Sequence, residues 1–228
     1  MGRKGRNAYA GGYYHVHTRG NNKAPLYLDA LDRNVFLQLV GRSREKYEWV
    51  IYEWCLMTNH YHLVLRVPKN GLAQGISELN GSFARWSNGR HGRCDHLFGR
   101  RYTSNEITTD AYLLEACRYV VLNPVRAGLC QHPEQWQWSS FRASVRLERP
   151  RPFHARDELL ALLADMFGTS PEQAHRAYRH FVEARLAIER LWAAAPSVVS
   201  GATAGVPPSL LLEGDGSAGA ATPRAAAA

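Results

Sequence analysis

Two histidines set one residue apart carry the first chemical signal. In Met57-Thr58-Asn59-His60-Tyr61-His62-Leu63-Val64-Leu65, strand alternation places His60 and His62 on one face, with Tyr61, Leu63 and Leu65 on the other. Two imidazoles so placed chelate a divalent ion when a third ligand arrives from elsewhere. Imidazole suits borderline metals, whereas magnesium prefers oxygen. An isolated HxH on a strand more commonly decorates a half-buried surface, so spacing alone assigns nothing. A second pair, His15 and His17, competes for the same role. His91, Cys94 and His96 form a third cluster whose spacing fits no zinc pattern, and it reads as a surface loop.

Tyr119 and Asn123 carry the second signal. Four residues apart on an expected helix, they share one face, with Glu115 a turn earlier. Leu113, Cys117, Val120 and Val121 largely point elsewhere, towards a core. A tyrosine hydroxyl has a free pKa near ~10. It becomes a useful nucleophile when a base or metal assists, and it then forms a covalent intermediate. Asn123 offers an amide oxygen, a hard donor for a divalent ion. Taken alone, Tyr119 reads first as a helix-face packing residue, and Asn123 before Pro124 as an ordinary helix stop.

The elements that must position these residues follow from periodicity. Residues 13–18 alternate and are aromatic-rich, which predicts a first strand; Arg19-Gly20-Asn21-Asn22-Lys23 breaks it as a loop. Asp29 caps a helix carrying Leu31, Val35, Phe36, Leu39 and Val40 at helical spacing. Residues 49–57 and 60–67 predict a hairpin about Thr58-Asn59. A second helix is expected over 72–86, followed by a basic, Gly-rich exit over 89–99 and a strand over 101–107. Thr109 or Asp110 caps a third helix, which Pro124 is expected to stop. Residues 157–167 and 171–192 predict two more amphipathic helices, with Ser170 as a cap and Pro171 in the first turn.

This β-α-β-β-α-β order predicts an α+β, ferredoxin-like domain: an antiparallel sheet with helices on one face, followed by C-terminal helices. The division expected is a flexible basic arm over 1–8, the main domain over 9–150, accessory helices over 151–192, and a disordered Ala/Gly/Pro-rich tail over 193–228.

Composition narrows the partners. The 228 residues are 45% hydrophobic and 11% aromatic, enough for a real core, and the formal net charge is +8. Arginine supplies most of the positive charge and binds phosphate bidentately, so nucleic acid is the partner class favoured. The four cysteines form no CxxC pair; Cys55 and Cys117 lie in apolar runs and are expected to be buried, reduced thiols in a reducing cytosol. No signal peptide, membrane-length apolar run or P-loop is visible. The expected setting is cytoplasmic, with no membrane partner and no nucleotide cofactor.

Together these stretches resemble a known family. His60-Tyr61-His62 is similar to the His-hydrophobic-His signature of HUH endonucleases. The longer string Trp54-Cys55-Leu56-Met57-Thr58-Asn59-His60-Tyr61-His62-Leu63 resembles the REP-associated tyrosine transposases and single-tyrosine insertion-sequence transposases. Matching stretches follow in order: Tyr14-His15-Val16 with the 19–23 loop, His96-Leu97-Phe98, then Arg118-Tyr119 with Asn123-Pro124-Val125-Arg126-Ala127-Gly128-Leu129, and Trp138-Ser139-Ser140. The resemblance spans residues 10–145, and several spaced motifs in order make it specific.

The resemblance implies that His60, His62 and Asn123 hold a divalent ion, magnesium or manganese, and that Tyr119 is the nucleophile. Relatives with Gln at the position of Asn123 make that residue the least fixed of the set. The family position of His17 is variable, which demotes the His15–His17 pair and leaves His15 to line the DNA path or support the site. The implied reaction is transesterification on hairpin-bearing, REP-like single-stranded DNA through a 5′-phosphotyrosine. The residues expected to meet DNA are Arg3, Lys4, Arg6, His15, Arg19, Asn22, Lys23, Arg100 and Arg101, the last two within a basic stretch that also includes Arg85, Arg90 and Arg93. A non-catalytic DNA-binding regulator of the same fold stands as the alternative, and a water-using phosphoesterase as a third. Monomer and homodimer both remain open, as does a site completed by a partner chain.

Overall fold

The computed structural model describes residues 8–194. The expected arm residues Arg3, Lys4 and Arg6, and the tail from residue 195 onwards, lie outside the described residues. Strands β1 (Tyr13–Arg19), β2 (Val50–Leu56), β3 (His60–Arg66) and β4 (Thr103–Ile107) form one sheet in the order β2-β3-β1-β4. Each neighbouring pair is antiparallel. With α1 (Ala30–Tyr47) between β1 and β2, and α2 (Leu72–His91) between β3 and β4, this is the ferredoxin-like α+β arrangement expected.

Strand alternation sorts the side chains into two layers. Val16, Tyr61, Leu63 and Leu65 pack beneath α1 and α2, meeting Phe36 and Phe83 in an aromatic-rich core. The close approach of α2 requires Gly75, where a Cβ would meet the Trp49 ring at 2.3 Å.

The opposite face carries His15, His17, His60 and His62, and it too is covered. Helix α3 (Asp110–Arg126) packs there against β2, β3 and β4, and α6 (Ala174–Ala194) packs on α3. Helices on one face therefore describes α1 and α2, while α3 lies on the other. The burial of β2 and β3 explains this, since nearly every residue of both strands is buried, whichever face it points to. A strand covered on both sides reads as a continuous apolar run rather than as an alternation.

Local signals set most boundaries. The Asp29 carboxylate accepts from Asp32 N at 3.0 Å, and the Thr109 hydroxyl from Tyr112 N at 3.1 Å, so Thr109 caps α3. Helix α2 runs five residues beyond the predicted Trp86. Arg90 pairs with Asp29 at 2.6 Å and His91 with buried Asp32 at 3.0 Å, which holds the last turn despite Gly89. Pro124 does not stop α3. Proline forfeits one hydrogen bond there, but residues Val120 to Pro124 are all buried, and the helix ends after Arg126 near Gly128, whose φ is +69°. At the C-terminal end, residues 171–173 form a turn and α6 begins at Ala174.

The β2 edge is closed by later chain. Leu56 N donates to Trp138 O at 2.8 Å, Ser140 N to Trp54 O at 3.0 Å, and Ala155 N to Ile51 O at 2.8 Å. The Trp138-Ser139-Ser140 stretch, which runs into the short helix α4 (Phe141–Ser144), and the lead-in to α5 (Arg156–Phe167) thus cover an otherwise unpaired edge. All four cysteines are free, with Cys55 and Cys117 buried. Among the described residues, no helix is long and apolar enough to cross a membrane.

Candidate active site

Antiparallel register between β1 and β3 sets His17 opposite His62, Arg19 opposite His60 and His15 opposite Val64. The imidazoles of His15, His17, His60 and His62 consequently share one face. Ring centroids lie 4.9 Å apart for His60–His62, 5.6 Å for His17–His62 and 5.1 Å for His15–His62. His15 Nε2 and His62 Nδ1 are 2.9 Å apart, a buried hydrogen bond between neighbouring strands.

Helix α3 brings Tyr119 onto this cluster. Its ring meets His15 and His62 edge-on, with centroids at 5.6 and 5.8 Å. Tyr119 is 7% exposed and Asn123, one turn on, 8% exposed. The Asn123 amide donates from Nδ2 to the Tyr119 carbonyl at 3.1 Å. That bond fixes the side-chain plane and leaves the amide oxygen as its donor atom for a cation.

Electrostatics favour neutral imidazoles. Burial, then the neighbouring His17, lowers His15 to about 3. Burial, then the Arg19 charge, then His17, lowers His60 to about 4. His62 is driven well below the ordinary histidine range, first by burial and then by His15 and His60. Each therefore keeps its lone pairs at neutral pH, the state that binds metal.

The hydrogen bonds select which nitrogen is presented. His62 Nε2 is buried and has no hydrogen-bond partner. A buried polar atom left unmade is costly, so the position suits a ligand. For Nε2 to carry a lone pair, the proton must sit on Nδ1 and donate to His15 Nε2. His60 makes a similar bond, with its Nδ1 2.7 Å from Asn59 Oδ1. Among the described residues, no group of three or more His, Cys, Asp or Glu side chains is arranged to hold a metal ion. Two imidazoles and an amide oxygen form a smaller donor set of a kind that fits a divalent ion retaining water.

The other expected site residues fall into groups. Arg19 is exposed at the end of β1 beside His60. Asn22 and Lys23 are exposed in a tight turn with φ of 50° and 59°. This loop is tied to the hairpin turn by Gly20 N to Asn59 O at 2.7 Å and Asn59 Nδ2 to Lys23 O at 2.9 Å. Asn21 N donates to Leu97 O at 2.9 Å, joining the His96-Leu97-Phe98 stretch to the same corner. Arg100 and Arg101 follow it and are exposed. Arg90 belongs instead to the fold, held by Asp29 and Asp32, and His91 pairs with Asp32, which gives each a structural partner.

Sequence reasoning passed over Arg126, whose guanidinium carbon lies 5.2 Å over the Tyr119 ring. Its position seven residues after Tyr119, two helical turns along the same face, was the available signal.

With this geometry in view, three similarities bear on kinship. Residues 8–123, just over half of the chain, match the family model described as IS200-like transposase. A protein of Haemophilus influenzae (strain Rd), provisionally named a REP-associated tyrosine transposase, is 26% identical over 126 residues, covering 50% of this chain and 72% of its own. The solved structure of a REP-associated tyrosine transposase bound to a REP hairpin superposes with a TM-score of 0.56 at 16% identity, covering 67% of this chain and 90% of that one. At that identity the superposition speaks for the fold. The family match reaches from β1 through Tyr119 to Asn123, and on that ground the chain belongs to the IS200-like transposases, with a REP-associated tyrosine transposase among its relatives.

Proposed function

We propose that this chain is a metal-dependent enzyme that cleaves and rejoins single-stranded DNA at hairpin-bearing, REP-like sites, with Tyr119 as nucleophile. The observation that carries the reading is the contact of the Tyr119 ring with His62, at 5.8 Å between centroids, which joins a helix and a hairpin distant in sequence. His60, His62 and Asn123 would hold the divalent ion, magnesium or manganese. When bound, such an ion supplies Lewis-acid polarisation of the scissile phosphate.

The chain's own residues supply the rest. The Tyr119 oxygen bonds to phosphorus as its phenol proton leaves to water. The bond from phosphorus to the 3′ oxygen breaks, and that oxygen takes up a proton as a free hydroxyl. The product is a 5′-phosphotyrosine, and reversal by a 3′-hydroxyl rejoins strands without a nucleotide cofactor. His15 steadies His62, and the close packing of Tyr119 excludes water from its flank. The exposed residues Arg19, Asn22, Lys23, Arg100 and Arg101 would meet DNA phosphates beside the site. The hairpin partner is argued by kinship with the solved relative that binds a REP hairpin.

The test is incubation of the protein with hairpin-bearing single-stranded DNA and manganese or magnesium, followed by denaturing electrophoresis. The expected result is a denaturant-resistant protein–DNA band, lost in Tyr119→Phe and with chelator. An adduct persisting in Tyr119→Phe overturns the nucleophile. Hairpin binding with no adduct under any condition favours the regulator.

A further inference from the structure

We propose that Arg126 is a positioning residue for Tyr119, and that the C-terminal helix α6 holds it in place through Glu189. The inference rests on the reading of Tyr119 as nucleophile and extends the site beyond the stretch matched by the family model, which ends at residue 123.

Three contacts form a chain from α6 to the phenol. Arg126 Cζ lies 5.2 Å from the Tyr119 ring centroid. Glu189 accepts from Arg126 Nη2 at 2.7 Å and from Nε at 3.2 Å, a two-point clamp that fixes the guanidinium plane. Arg185, one turn earlier on α6, donates from Nε to Glu189 Oε1 at 2.8 Å and so holds the carboxylate itself. The side chains of Arg126 and Glu189 are 23% and 22% exposed, which separates them from the freely solvated ion pairs elsewhere on the surface.

Negative charge collects on the phenol oxygen as its proton leaves, and then on the phosphate it attacks. A fixed cation over the ring favours that charge and restricts ring rotation, so the oxygen is aimed before DNA arrives. Glu189 occupies Nε and Nη2, so Nη1 is the nitrogen left to donate to a phosphate. On this account α6 is a brace for the nucleophile.

The experiment compares single-turnover adduct formation, DNA affinity and melting temperature for the full-length wild type, R126K, R126Q, E189Q and the charge swap R126E/E189R. At saturating DNA, R126Q should lose roughly 100-fold in rate and E189Q roughly 10-fold, with smaller changes in affinity. R126K should recover part of the loss. The swap rebuilds the ion pair with the cation on α6, so it should restore melting temperature but not rate. Recovery of rate by the swap, or an undiminished saturating rate in R126Q, overturns the proposal. A wild type that forms no adduct removes the nucleophile reading and this inference together, whereas an adduct indifferent to R126Q removes the inference alone.

Discussion

His15 Nε2 and His62 Nδ1 meet at 2.9 Å across neighbouring strands, so one histidine of the sequence-competing pairs serves the other. On the proposed reading the two HxH motifs divide the labour, with His62 presenting Nε2 to the ion and His15 orienting it. His15→Ala should weaken manganese binding about 10–100-fold, as removal of outer-shell partners does. Calorimetric titration of metal into the two proteins measures this, and equal affinities would free His15 from the role.

Truncation of the proposed ligands should separate chemistry from binding. His60→Ala or His62→Ala should lower adduct formation by roughly 10³-fold while hairpin affinity stays within a few-fold. Adduct yield and fluorescence anisotropy report the two quantities. Full cleavage by both variants would assign the metal elsewhere.

Glu53 offers a pH test on a group outside the proposed metal ligands. It is fully buried on β2, accepts from Ser144 Oγ at 2.7 Å and also bonds Ser140 Oγ. Burial outweighs these hydrogen bonds and raises its pKa from 4.5 to about 7. Between those values the folded state binds more protons than the unfolded state, so stability is full at acid pH and falls as pH rises through 7. The loss amounts to at most ~3 kcal/mol. The buried histidines act in the opposite sense, losing stability as pH falls, and they cancel when variants are compared. Glu53→Gln should therefore gain on the wild type from pH 5 to about pH 7 in urea denaturation, and the gain should level off above that. A difference that does not change with pH would contradict the burial argument.

Two glycines of α2 should respond with opposite signs. Ala in place of Gly within a helix ordinarily gains about 1 kcal/mol. At Gly75 the new Cβ would lie 2.3 Å from the ring of fully buried Trp49, and overpacking of ~3 kcal/mol outweighs the gain. At Gly81 the nearest atom is the flexible Arg85 tip at 3.4 Å, so Gly81→Ala should stabilise. Thermal melts of the two variants decide the matter, and a stabilising Gly75→Ala would mean that α2 has room to shift.

Much of the frame was legible in the sequence because its signals are local. Alternation in 13–18 and 60–66 and the caps Asp29 and Thr109 each depend on neighbours within a few residues. What misread was non-local. The end of α2 depends on Arg90 and His91 finding Asp29 and Asp32 on another helix, and the passage of α3 through Pro124 depends on burial. Strand order does not say which face receives α3; the near-continuous burial of β2 and β3 held the clue that both faces are covered.

By itself the sequence determined the α+β frame, the pairing of His60 with His62, and the sharing of a helical face by Tyr119 and Asn123, because each follows from a repeat of two or of 3.6 residues. Tertiary structure decided that His15 supports His62, that Tyr119 meets both rings, and that Glu189 on a late helix grips Arg126 over that tyrosine. Those contacts join residues from 7 to 104 positions apart in the numbering of the chain. Beyond the seven-residue step from Tyr119 to Arg126, periodicity carries no information over such spans; the packing of α3 on the second face of the sheet, and of α6 on α3, does.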